Sequence, residues 1–193
     1  MRQVVQVVRN GGLIALPTDS SWALAGHTGD ADVLERIRRI RGVDDRHQFT
    51  LLVRDLSEIA TYARVDNVQY RTLKANTPGP YTFILEGSRE LPRRVLHPKR
   101  KTIGVRVPSH PAVAAILDEL NEPLLSSTLI LSGDEEPLSD PEEICARLQK
   151  QVDLVIDCGG SGRGVTTVID LTTVEPKLVR RGMGDVSRFG FSD

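Results

Sequence analysis

Residues 13–16, Leu-Ile-Ala-Leu, are four apolar residues in a row, closed by Pro17 and followed by Thr18, Asp19, Ser20 and Ser21. So short and apolar a run reads as a buried strand, and proline ends its ladder because it has no N–H to donate. Small polar side chains then stand beyond the carboxyl end of that strand, where ligands bind in open α/β sheets. Hydroxyls there can hold a carboxylate or phosphate oxygen. Asp and Ser are also common turn formers, and local chemistry alone reads 17–21 as a turn.

Similar short runs recur. Residues 49–53, 81–85, 102–107, 124–131, 153–157, 166–171 and 177–180 read as strands, the last two pairing as an antiparallel hairpin across 172–176. Helical spacing joins Val4, Val5, Val7 and Val8, with Gly11-Gly12 to stop it, and Val33, Leu34, Ile37 and Ile40, from a cap at Asp30 to Gly42. Further helices are expected over 55–62, 66–75, from a Ser109 cap through Leu120, and from Asp140-Pro141-Glu142-Glu143, where proline and acids suit a first turn. These strands mixed with these helices, without repeat or linker, imply one α/β (α+β) domain over 1–193. Irregular connection lengths argue against a simple βαβ array.

Only 4% of the 193 residues are aromatic, so the core must be built of Val, Leu and Ile. No apolar run approaches the roughly 20 residues needed to span a bilayer. Polar residues interrupt the apolar positions of the first ten, so no signal core is read there. Cys145 and Cys158 form no CxxC, and a cytoplasmic chain with reduced thiols is expected, with no membrane partner. Net charge is −1, yet seven Lys or Arg stand against one acid over 89–106, and six acids stand without a base over 134–143. That division reads as a local anion-binding face or as a solvated basic loop.

Several familiar constellations fail. The stretch Gly159-Gly160-Ser161-Gly162-Arg163-Gly164 has no GK[ST] after it and leads into a strand, so it is a flexible turn that could still cover a ligand. His27, His47, His97 and His110 show no metal spacing and read as surface or loop residues. No GxSxG elbow supports a hydrolase triad, and no nucleophile stands out. A chemistry that only positions anionic substrates would need none.

PTDSSWAL (17–24), PGPYT (78–82), IGVRVPSHP (103–111), TTVIDL (166–171) and LVRRG (178–182), in that order and spacing, resemble the YrdC-like family, whose best-known members make L-threonylcarbamoyladenylate. Within it the chain is most similar to the YciO branch. The basic Lys-x-Arg pair of the synthases is matched by Arg41 and Val43, so the second charge is lost. Their Ser-x-Asn is matched by Thr128-Leu129-Ile130, so the amide is lost. Their Tyr-Gly within V-Y-G-L is Trp22-Ala23.

The resemblance implies a twisted mixed sheet flanked by helices, with a concave basic face that binds a nucleotide. It further implies ATP, bicarbonate and L-threonine as substrates for tRNA modification, with Mg²⁺ carried by the nucleotide. Arg41, Thr102, Thr128 and Arg180 would lie along the nucleotide. Thr18, Arg106, Ser126 and Thr166 would meet the amino acid. No residue would act as a catalytic group and none would hold a resident metal. Two alternatives fit the same sequence: a module binding double-stranded RNA or tRNA through Lys99, Arg100 and Lys101, and a hydrolase of adenylated groups.

Overall fold

The computed structural model describes residues 1–192. Its strands are β1 (Ile14–Leu16), β2 (Ala23–His27), β3 (Thr50–Leu52), β4 (Tyr81–Glu86), β5 (Thr102–Arg106), β6 (Leu124–Thr128), β7 (Leu154–Val155), β8 (Thr167–Asp170) and β9 (Lys177–Arg180). They join in one sheet of order β7-β1-β2-β6-β3-β5-β4-β8-β9. Three pairs are parallel (β1 with β7, β3 with β5, β4 with β8) and the other five antiparallel, so the sheet is mixed.

Six α-helices cover it: α1 (Arg2–Arg9), α2 (Ala31–Arg41), α3 (Leu56–Tyr62), α4 (Asn67–Asn76), α5 (Pro111–Leu120) and α6 (Pro141–Leu148). The Asp30 carboxylate caps α2 by accepting from Asp32 and Val33 N–H, and Gly42 ends it in the left-handed region. Helix α4 carries a full capping box from Asp66 and Gln69. At α3 the expected box is modified. Asp55 accepts from Glu58 N–H, but the Glu58 carboxylate reaches back one residue further, to Arg54 N–H.

The two faces of the sheet are covered unequally. On one, Leu24, Leu51, Phe83, Val105 and Leu125 pack with Val33, Leu34, Ile37 and Ile40 of α2, Ile59 of α3, Leu73 of α4 and Ile144 and Leu148 of α6. On the other, α1 and α5 pack only over β1, β2 and neighbouring ends, with Ile14, Ala25, Leu52 and Leu124 against Val5, Val8, Val113 and Leu117. Side chains alternate along a strand, so the rest of this second face is presented by Thr50, Thr82, Gly104, Arg106, Ser126 and Thr128. A methyl group on Gly104 would lie 2.7 Å from the Thr50 hydroxyl, so the floor is flat only because glycine is there.

Three sequence expectations are corrected. Strand β2 was not foreseen. The strand expected over 124–131 stops at Thr128, after which Leu138 N–H bonds Leu129 O. The α5 cap is His110, whose Nδ1 accepts from Ala112 N–H; Ser109 instead donates to Asp19.

Candidate functional site

The apolar run 13–16 delivers the turn 17–21 to the edge of the uncovered face, where it meets the end of β5. Arg106 lies there, 5% exposed, although its neighbours Val105 and Val107 are core residues. Its guanidinium donates to Ser20 Oγ at 2.8 Å and Thr18 Oγ1 at 3.3 Å, and pairs with the Asp19 carboxylate. Asp19 also accepts from Ser109 Oγ at 3.0 Å. The expected turn is therefore tied to the end of β5 through Arg106. Thr18 itself is fully buried: its hydroxyl donates to Ser21 O at 2.6 Å and accepts from Ser20 N–H at 3.1 Å.

Across the floor, Thr166 stands just ahead of β8. Arg180 of β9 grips it, donating from Nη2 to its carbonyl (2.9 Å) and hydroxyl (3.0 Å) and from Nε to the carbonyl again (3.1 Å). The same hydroxyl lies 2.8 Å from Thr82 Oγ1. At the far side, Arg41 ends α2 and donates from Nη1 to Ser127 Oγ and Thr128 O, both at 2.9 Å. Ser126, facing the other way from Ser127, donates to Thr50 O at 3.0 Å.

Ser20–Ala23, Thr50, Leu52, Thr82, Arg106, Ser126–Thr128 and Thr166 enclose a recess of about 30 Å³, room for a small oxyanion and not for a nucleoside. It adjoins, through Ser21, a hollow of about 830 Å³ between the segments 135–141 and 160–165. That volume is of the size that holds a nucleotide. The glycine-rich turn 159–164 forms one wall. Gly162 N–H donates to Thr18 O, so this turn is laid on the polar one.

The recess is electropositive. Burial lowers the pKa of the Arg41 guanidinium from its ordinary value, and Arg180 lowers it further. Burial also lowers that of Arg106; Asp19 opposes the shift and Arg180 adds to it. Burial lowers that of Arg180 as well. All three remain cations at neutral pH. The Nε atoms of Arg41 and Arg106 are buried without a partner among the described residues. Cations that are desolvated and within each other's field favour an anion between them.

Of the site residues expected from sequence, Arg106, Ser126, Thr128 and Thr166 line the recess, and Thr18, Arg41 and Arg180 bond directly to its lining. Thr102 does not line it; its hydroxyl is taken by Gln48 Oε1 at 2.8 Å. Val43 and Ile130 are half-buried and line neither recess nor hollow. Lys99, Arg100 and Lys101 are exposed at the opposite end of β5 from Arg106, with Arg100 3.8 Å from Asp170.

Sequence reasoning missed His47. It is half-buried, its Nε2 2.8 Å from Ser127 Oγ and its ring edge-on to Phe49. Burial and the adjacent Arg41 and Arg38 push its pKa down to about 4, against Asp44. A lone histidine in a polar loop carries no spacing signal that could have found it. Among the described residues no group of three His, Cys, Asp or Glu is placed to hold a metal. The Asp19 carboxylate, next to the recess, is engaged by Arg106.

A mixed sheet covered by helices on one face and only partly covered on the other, where an arginine-rimmed, alcohol-lined recess opens, defines the domain. The chain belongs to the Sua5/YciO/YrdC family: the family profile, described as "Telomere recombination", matches residues 6–182. It is 56% identical to YciO of Escherichia coli K12 over 189 residues, covering 98% of this chain and 92% of the relative. The crystal structure of E. coli YciO superposes with a TM-score of 0.93, at 57% identity, over 97% of this chain and 91% of that one. The threonylcarbamoyl-AMP synthase of Halorhodospira halophila is 30% identical over 129 residues, 66% of this chain and 67% of its own. Pyrococcus abyssi Sua5 complexed with L-threonine superposes with a TM-score of 0.85 at 26% identity, over 94% of this chain and 53% of that one. No helix among the described residues is long and apolar enough to cross a membrane.

Proposed function

We propose that the protein binds an adenine nucleotide together with a small amino acid and acts as a threonylcarbamoyl-AMP synthase of low turnover. The observation that carries this reading is that Arg106 and Arg180 converge on a floor of short alcohols, with Arg41 bonded to the Thr128 carbonyl at its margin. The hollow has the volume for a nucleotide but carries Glu135, Glu136 and Asp140 against Arg163, so the phosphates would lie toward the recess and its arginines. The chain's homology to threonylcarbamoyl-AMP synthases, and the L-threonine in the Sua5 complex, support the same choice of ligands.

In this reading the threonine amine takes up bicarbonate to give a carbamate and water. A carbamate oxygen then attacks the α-phosphate of ATP, and the bond to the β-phosphate breaks to release pyrophosphate. Arg106, with Ser126 and Thr166 nearby, holds the amino acid's carboxylate. Arg41, Arg180 and Thr128 lie along the phosphates and stabilise charge developing in the transition state. Mg²⁺ would arrive on the nucleotide, bridging its phosphate oxygens.

Pyrophosphate release from ATP, L-threonine and bicarbonate tests the reading, comparing the protein with Arg41→Ala and Arg106→Ala, each checked for folding by circular dichroism. Release that depends on all three substrates and drops at least tenfold in the variants supports it; release no faster than in the variants overturns it.

A second reading concerns the exposed run Lys99-Arg100-Lys101. Its distance from the recess suits a duplex RNA or tRNA backbone held while the recess works.

A further inference from the structure

His47 lies outside the set of residues that the proposed reaction uses, yet it is wired to one of them. Arg41 Nη1 donates to Ser127 Oγ at 2.9 Å, and an arginine can only donate. His47 Nε2 lies 2.8 Å from the same oxygen. Ser127 has one hydroxyl hydrogen, and among the described residues His47 Nε2 is the one acceptor in reach of it. The chain of donors therefore runs Arg41 to Ser127 to His47, which requires Nε2 to be unprotonated and Nδ1 to carry the hydrogen.

We propose that His47 is a positioning residue: as the neutral end of an Arg41–Ser127–His47 relay, it fixes the Arg41 guanidinium beside Thr128 at the phosphate side of the recess. The relay is anchored from both ends. Arg41 Nη1 is also held by Thr128 O at 2.9 Å, and the His47 ring is held edge-on by Phe49 at 5.0 Å between centroids. The charged groups facing the ring are Arg38 and Arg41 of α2 and Asp44 of the following turn. Two cations against one anion resist a further proton on the imidazole, which keeps Nε2 an acceptor at neutral pH. A proton there would turn the acceptor into a donor, leave the Ser127 hydrogen without a place and set a third positive charge beside Arg41.

This inference rests on the nucleotide reading, and the tests separate the two. The ring ¹⁵N shifts of His47 at pH 7 report the tautomer without any ligand, and calorimetry with ATP and with L-threonine reports the consequence. The expected result is an Nδ1–H tautomer and about tenfold weaker ATP binding in His47→Leu. His47→Gln, which restores an acceptor, recovers most of that affinity. L-threonine affinity stays unchanged in both. A protonated Nε2 overturns the relay even if ATP binds, as does an ATP affinity equal in the wild type and His47→Leu. A wild-type protein with the expected tautomer that binds no ATP overturns the nucleotide reading and the positioning role with it.

Discussion

Gly162 donates its N–H to the carbonyl of Thr18 at 3.1 Å, and a methyl group on Gly162 would overlap the Asp19 carbonyl oxygen. The glycine-rich turn therefore closes on the polar one with no side chain between them. Gly162→Ala should lift it, at a cost of about 1–3 kcal/mol from forced overpacking. The expected outcome is faster tryptic cleavage after the exposed Arg163. An unchanged digestion rate would show that the two turns are not held together.

Arg106 and Asp19 form a nearly buried ion pair, their side chains 7% and 14% exposed. Truncating one partner strands the other. Arg106→Ala should cost about 3–5 kcal/mol in urea unfolding, while Arg106→Met combined with Asp19→Asn should cost clearly less. If the double variant is as unstable as the single one, the pair is not what Arg106 contributes.

Thr166→Val removes the hydroxyl that links Arg180 to Thr82 but keeps the shape. A loss of about 1 kcal/mol in stability is expected, since the carbonyl of residue 166 still holds Arg180. The larger effect should fall on L-threonine binding, measured by calorimetry.

His47 gives the protein an acid-sensitive window. In the unfolded chain it takes up a proton near its ordinary 6.5, whereas in the fold it does so only at about 4. Between those values the unfolded state holds more protons. The contribution is therefore fully present above pH 6.5 and is lost as pH falls toward 4, by at most about 3 kcal/mol. Urea midpoints at pH 7 and 4.5 should fall further in the wild type than in His47→Gln, which has no proton to gain.

Charge reversal at Lys99, Arg100 and Lys101 should weaken tRNA binding and flatten its dependence on salt, because each phosphate contact releases counterions. Pyrophosphate release in the absence of RNA should not change. A filter-binding titration across salt concentrations checks both the run and the partner.

Helices α2 and α6 were legible because each carries its own start signal: Asp30 before α2 and Asp140-Pro141 before α6. Strand β2 was not, because Ala-Leu-Ala-Gly-His lacks β-branched residues and leans on its neighbours. Gly26 stands in it because a methyl there would come 2.6 Å from Val33. Arg106 could be read as a polar interruption in an apolar strand, but its partners at 18–20 lie more than eighty residues away and only the fold joins them. His47 depends on Ser127 in the same way.

Because α1 and α5 shield only part of their side of the sheet, the alcohols on the bare strands contribute little to the packing that holds those strands in place. Exchanging one short alcohol for another there keeps the hydroxyl's hydrogen bond and reshapes the recess by a methyl group, at a cost of about 1 kcal/mol. A lineage built on this scaffold is free to explore new ligands by small steps, without first acquiring extra stability.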